Sequence, residues 1–267
     1  MSNLSNIGFN VTSQEGFQEL LSTIYQVSLP LQTKEGIYNI YTDGSGAQMY
    51  IQFNTKNECI GANPHYVGKS KRTVCLTDAF ERPESELDGA FHCWAAPSEV
   101  NNPTSGAYPF VFDSPEFKTI GTIDFPQNAD IQLAGFAHEL SVYSSENEFA
   151  EHQTGEVKWA TQSFIPSGLF YSDEGKEPEV PQATGILTGT IKEFERKKNE
   201  LTGEAFYWLL VDTLGGEIDV VADLRFFDRE PQRGGVIQGV FWLSGRLLNP
   251  PIREVKPKNI FQKLFGR

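Results

Sequence analysis

The chain has 267 residues, with 22 Lys and Arg against 35 Asp and Glu for a formal charge of −13, and 39% of it is hydrophobic, enough to bury a core. Twenty Phe beside 24 Gly and 15 Pro point to short strands joined by many turns, which excludes wholesale disorder and argues against a helical bundle. No window approaches 18 consecutive apolar residues, so no membrane-spanning helix is expected.

The opening MSNLSNIGFN has neither a basic nor an apolar leader segment. Cys59, Cys75 and Cys93 are a sparse, odd set without CxxC spacing, as reduced thiols would be. Together these lead to the expectation of a soluble, cytoplasmic protein.

Thr12 and Glu15 have the spacing of a capping box, and Phe17, Leu20, Leu21 and Ile24 follow at i, i+3, i+4 and i+7. The pattern predicts a short amphipathic helix ending before Pro30. Residues 37–42 and 47–53 alternate around the turn Asp43-Gly-Ser-Gly46 and predict a hairpin. Further strands are expected at 56–61, 73–77, 89–95, 107–112, 119–123, 129–143 and 162–166. Asn63-Pro64, Arg82-Pro83, Asn102-Pro103 and Ser114-Pro115 punctuate the loops between them. Residues 130–143 satisfy both a period of two and a helical grouping, and are read as strand; 146–152 is read as a helical turn.

The stretch Ser172 to Gln182 carries four carboxylates, two prolines and a glycine, and reads as a linker. Residues 1–182 hold 9 basic and 24 acidic side chains, net −15, whereas 183–267 hold 13 and 11, net +2. The shift supports an acidic β-rich domain over 1–171, a linker over 172–182 and a second domain over 183–250, though an exposed loop within one β-rich body would give the same pattern.

In the second part, strands are expected at 185–195, 204–212, about 217–227 and 236–247, with a tight turn at Gly215-Gly216. The long first strand opening with Gly185 and Gly189, the hairpin and the GVFWLSGRL strand resemble an OB-fold over 183–248, which would make this part a small β-barrel. A fifth strand, and the helix OB-folds commonly place between the third and fourth, are not evident. The fold class expected is therefore mainly β with minor helices, an irregular antiparallel domain followed by an OB-like barrel. The tail 251–267 is basic, with Ile260, Phe261, Leu264 and Phe265 at helical spacing. It suits docking on the acidic first part, on a partner protein, or on a membrane surface.

Local catalytic patterns are missing. His138-Glu139 begins an HExxH motif, but Val142 stands where the second imidazole belongs. A metal site would have to be assembled from His65, His92, His138 and Glu139 across strands, giving a metal-dependent hydrolase as one alternative. No GxSxG elbow, P-loop or GxGxxG occurs; Ser244 lies inside a strand. An OB-like barrel could instead bind through Tyr207, Phe227 and Trp242 with Arg225 and Arg246, but Asp219 and Asp223 and the acidic first part oppose single-stranded nucleic acid. The expectation is a non-catalytic binding or accessory protein that recognises a protein or a small polar or cationic ligand. No cofactor is expected, and sequence does not set the oligomeric state.

Overall fold

The computed structural model describes residues 3–83, 85–154, 158–167 and 180–253. Two short helices, α1 (Gln14–Val27) and α2 (Glu146–His152), accompany thirteen strands. A four-stranded antiparallel sheet takes its strands in chain order: β1 (Leu29–Gln32), β2 (Gly36–Thr42), β3 (Ala47–Asn54) and β4 (Cys59–Tyr66). The other nine form a second sheet: β5 (Arg72–Glu81), β6 (Gly89–Ala95), β7 (Pro109–Ser114), β8 (Gln127–Tyr143), β9 (Ser163–Ile165), β10 (Thr184–Lys198), β11 (Ala205–Thr213), β12 (Gly216–Asp223) and β13 (Val236–Leu247). No described helix is long and apolar enough to cross a membrane.

The large sheet closes on itself twice. Pairings run β10–β11–β12–β8–β13 and back to β10, making one five-stranded circuit. They also run β5–β6–β7–β13–β8 and back to β5, making a second. The two circuits share the antiparallel β8–β13 pair, and each is a three-strand meander followed by one long strand. The third strand of each meander lies parallel to the long strand of the other half: β12 beside β8, and β7 beside β13 at Ser244 and Asp113.

This exchange corrects the expected division at 172–182. The fifth strand missing from 183–248 is β8, contributed by the earlier part of the chain, so 183–250 does not close alone. One apolar core holds Val74, Phe91 and Phe110 from the first half with Leu209, Val220 and Phe241 from the second. Residues 172–179 of the expected linker and 254–267 of the expected tail lie outside the described residues.

Burial on both faces explains the long apolar runs. In β11, Leu209 and Val211 face the shared core, whereas Phe206, Trp208 and Leu210 face a second cluster with Met49, Ile51 and Tyr66 of the four-stranded sheet. At about 1.5–3 kcal/mol for each large apolar side chain removed from water, this outer layer contributes as a core does. Strand β12 is likewise covered on both sides; Val221 and Asp219 are fully buried on the outward parity. Residues 131–137 of β8 are buried throughout, and the strand reading of 130–143 holds.

Local signals behave as their chemistry requires, with small shifts. Ser13, not Thr12, caps α1, its hydroxyl accepting from the Gly16 N–H. Gly215 and Gly216, at φ of +83° and +120°, make the β11–β12 turn that a side chain would strain. The strand expected at 119–123 is a 3₁₀ turn over Phe117–Thr119 followed by a single bridge from Ile120 to Ile252. Strand β1, interrupted by Pro30, was not anticipated.

Candidate polar cavity at the seam between the sheets

Alternation in β13 sends Phe241 and Leu243 into the shared core and turns Trp242, Ser244 and Arg246 outward, toward the four-stranded sheet. Strand β4 meets them there with Asn63 and His65. The ends of β5 and β7 add Arg82, Asp113 and Ser114, and the residue before β6 adds Asp88. These polar groups, His65 and Arg246 excepted, line a cavity of about 280 Å³ between the sheets, together with Asn3, Pro64, Gly89 and Pro115.

Asp113 is firmly placed. Its Oδ1 accepts from Arg82 Nε at 2.8 Å and from Nη2, and its Oδ2 accepts from Trp242 Nε1 at 2.6 Å. Arg82 also donates through Nη1 to the Pro181 carbonyl at 2.6 Å. Trp242 is fixed further by its ring contact with Phe136, centroids 5.0 Å apart. Asp88 differs. Its Oδ1 accepts from Asn63 Nδ2 at 2.6 Å and from Gln52 Nε2, but no ion pair reaches it among the described residues. Burial raises its carboxyl above the ordinary aspartate value, and the neighbouring Asp113 charge adds to the effect. The Ser114 hydroxyl, 4% exposed, has no hydrogen-bond partner among the described residues.

Ser244 begins a chain of hydrogen bonds leading inward. Gln132 Nε2 donates to Asp219 Oδ2 at 2.7 Å, which turns Gln132 Oε1 toward His65 as an acceptor. His65 Nε2 therefore carries the proton it donates to that oxygen at 3.0 Å, and Nδ1 accepts from the Ser244 hydroxyl at 2.8 Å. Asp219 receives three more donors, Lys69 N, Ser70 N and Trp208 Nε1, at 2.8, 2.9 and 2.8 Å. Gly68 makes this fit possible, since a Cβ there would sit 2.0 Å from Asp219 Cγ.

The order serine, imidazole, amide, carboxylate resembles a nucleophile with its base, but the electrostatics oppose that use. Burial, reinforced by the Arg246 guanidinium, pushes the His65 imidazole down to about 3, so it stays neutral at ordinary pH and is a poor acceptor for the serine proton. Ser244 itself is 1% exposed. The chain acts as a polar tie between the sheets.

The anticipated ligand-binding residues do not gather on one face. Trp242 lines the cavity, and Arg246 lies on the same side of β13, paired through Nε and Nη2 with Glu116 at 2.8 and 3.1 Å. Tyr207 is on the inward parity of β11, 8% exposed, with Phe227 packed on it at 4.6 Å. Arg225 pairs with Asp223 at 2.7 Å. No ring contact or hydrogen bond among the described residues links these three to Trp242.

The histidines also stand apart. His65 is in the buried tie, His92 bonds to Thr77, and His138 bonds to Asn3 at 2.8 Å. Val240 pairs with Glu139 and Phe241 with Ala137, so His138 is the extra residue of a β-bulge and is exposed with Glu139. Among the described residues no group of three or more His, Cys, Asp or Glu could hold a metal ion.

Sequence reasoning passed over Asn63, Arg82, Asp88, Asp113 and Ser114 as binding residues. A signal was there: three of the four proline-marked junctions, Asn63-Pro64, Arg82-Pro83 and Ser114-Pro115, supply cavity walls. In comparisons with known proteins, no family model and no curated protein matches the chain.

Proposed function

We propose that this is a non-catalytic binding protein that takes a small polar ligand into the cavity between its two sheets. The observation that carries the reading is Asp88: its half-buried carboxylate lines the cavity with no ion pair among the described residues, a charge that a ligand's donors would meet. The cavity's polar wall, fixed by the Arg82–Asp113–Trp242 contacts before any ligand arrives, supports the same reading. Its volume corresponds to roughly nine waters at about 30 Å³ each, the size of a metabolite rather than a peptide.

The nucleic-acid alternative is less well supported. It rests on the resemblance of 183–248 to an OB-fold, but the outward faces of β11 and β12, where such barrels stack bases, are packed against the four-stranded sheet through Phe206, Trp208, Leu210 and Val221. The separation of His65, His92 and His138 gives the hydrolase alternative no assembled centre.

The test is ligand-observed NMR with a panel of small polar compounds on the protein and on Asp88→Asn, which removes that charge and keeps an oxygen. Binding that Asp88→Asn abolishes without lowering thermal stability is the expected result. Binding that survives the substitution places the site elsewhere and overturns the proposal.

A further inference from the structure

A second cavity, of about 310 Å³, lies between strands β5 and β6 and the segment 117–125. Much of its wall is apolar. Phe91 belongs to the shared core, and Ala79, Phe117, Ile120 and Ile123 are only partly buried against that core. Phe125, 36% exposed, lines it too. Such a surface gains from being covered by apolar side chains.

The chain itself arrives at this place. Arg253, the last described residue, lines the cavity, and its N–H donates to the Thr119 carbonyl at 2.9 Å. The Gly121 N–H donates to the Pro251 carbonyl at 2.6 Å, and Ile120 bridges to Ile252. Residues 254–267 therefore begin at the cavity's edge.

We propose that the chain's own residues 254–267 cover this cavity, entering it through Ile260, Phe261, Leu264 and Phe265. Reach favours this occupant. Ile260 is seven residues beyond Arg253, and seven residues span up to about 23 Å. The tether also sets a local concentration on the order of millimolar, an advantage that a separate partner lacks. Charge agrees: these fourteen residues carry Lys256, Lys258, Lys263 and Arg267 against Glu254, whereas residues 1–182 are net −15. The two cations of the cavity wall, Lys118 and Arg253, are already paired with Glu81 and Glu35, and Asp124 is exposed between the lining residues Ile123 and Phe125.

The test uses the full chain with Ile and Leu methyl groups labelled, and follows nuclear Overhauser contacts from Leu264 to Ile120 and Ile123. The expected result is contacts to both. None should arise between copies when Leu-labelled and Ile-labelled protein are mixed. Phe261→Ser combined with Phe265→Ser should erase the contacts, shift the Ile120 and Ile123 methyl resonances, and lower the melting temperature by roughly 3–6 °C. Contacts that arise between copies in the mixture would assign the cavity to a second molecule's segment and overturn the proposal. If Leu264 touches neither isoleucine the proposal also falls, and co-sedimentation with phosphatidylserine vesicles then decides whether a membrane surface takes the segment instead.

Discussion

His65 Nδ1 lies 2.8 Å from Ser244 Oγ, joining the fourth strand of the small sheet to the last strand of the large one. Both residues are buried, and Ser244 also lines the cavity beside the contact. Because burial and Arg246 hold His65 down to about 3, folding favours its neutral form.

The sign of the pH effect follows. The unfolded imidazole takes a proton near 6.5, whereas the folded one takes it only near 3. Its stabilising contribution is thus present above pH 6.5 and is lost as pH falls toward 3, by as much as about 4–5 kcal/mol. Urea unfolding between pH 3 and 8 should show this slope in the native protein and a shallower one in His65→Gln, which cannot titrate. Parallel curves for the two proteins would contradict the assignment.

Asp219 should be among the least replaceable residues. Asp219→Ala would strand four donors, including the Trp208 indole and two backbone N–H groups, for a loss of about 3–5 kcal/mol in chemical denaturation. Gly68→Ala should destabilise through the same residue, by about 1–3 kcal/mol, because its Cβ would displace the Asp219 carboxylate. A wild-type stability in either variant would show that this network carries little of the fold.

Asp88 should behave in the opposite direction. Its raised carboxyl means that folding favours the protonated form, so its favourable contribution is complete below the ordinary aspartate range and is lost as pH rises through the raised value. Asp88→Asn keeps an oxygen to accept from Gln52 and Asn63 and removes the buried charge. Its melting temperature should equal or exceed that of the native protein at pH 7, with the difference shrinking in acid. A clear loss of stability at pH 7 would mean that the charge is structural rather than held for a ligand.

Residues 183–253 should not fold alone, since β8 closes their circuit from the other half. Expressed by themselves they should give the narrow proton dispersion of an unfolded chain. A dispersed, cooperative spectrum would reinstate a self-contained barrel.

Short-range chemistry was legible. The Asp43-Gly-Ser-Gly46 turn marked β2 and β3, and alternation with a glycine stop gave β6 and β13 at their observed bounds. Both bounds of α2 were also read correctly. The partner of β12 was not legible, because β8 lies more than 80 residues away and parity gives a strand's buried faces without naming its neighbour. The aromatic candidates failed for a related reason: alternation placed Tyr207 and Trp242 on opposite faces of the large sheet only once the pairing of β10 with both β11 and β13 was known. The cavity was hidden because its walls come from the ends of four strands, each ordinary alone.

The most direct test of the account is a crystal structure of the protein with a ligand found in the panel of small polar compounds. The account expects the ligand between the two sheets and within hydrogen-bonding distance of Asp88 Oδ2, with the Arg82–Asp113–Trp242 contacts unchanged. An empty cavity with the ligand bound elsewhere, or a ligand in the cavity that makes no contact with Asp88, would contradict it.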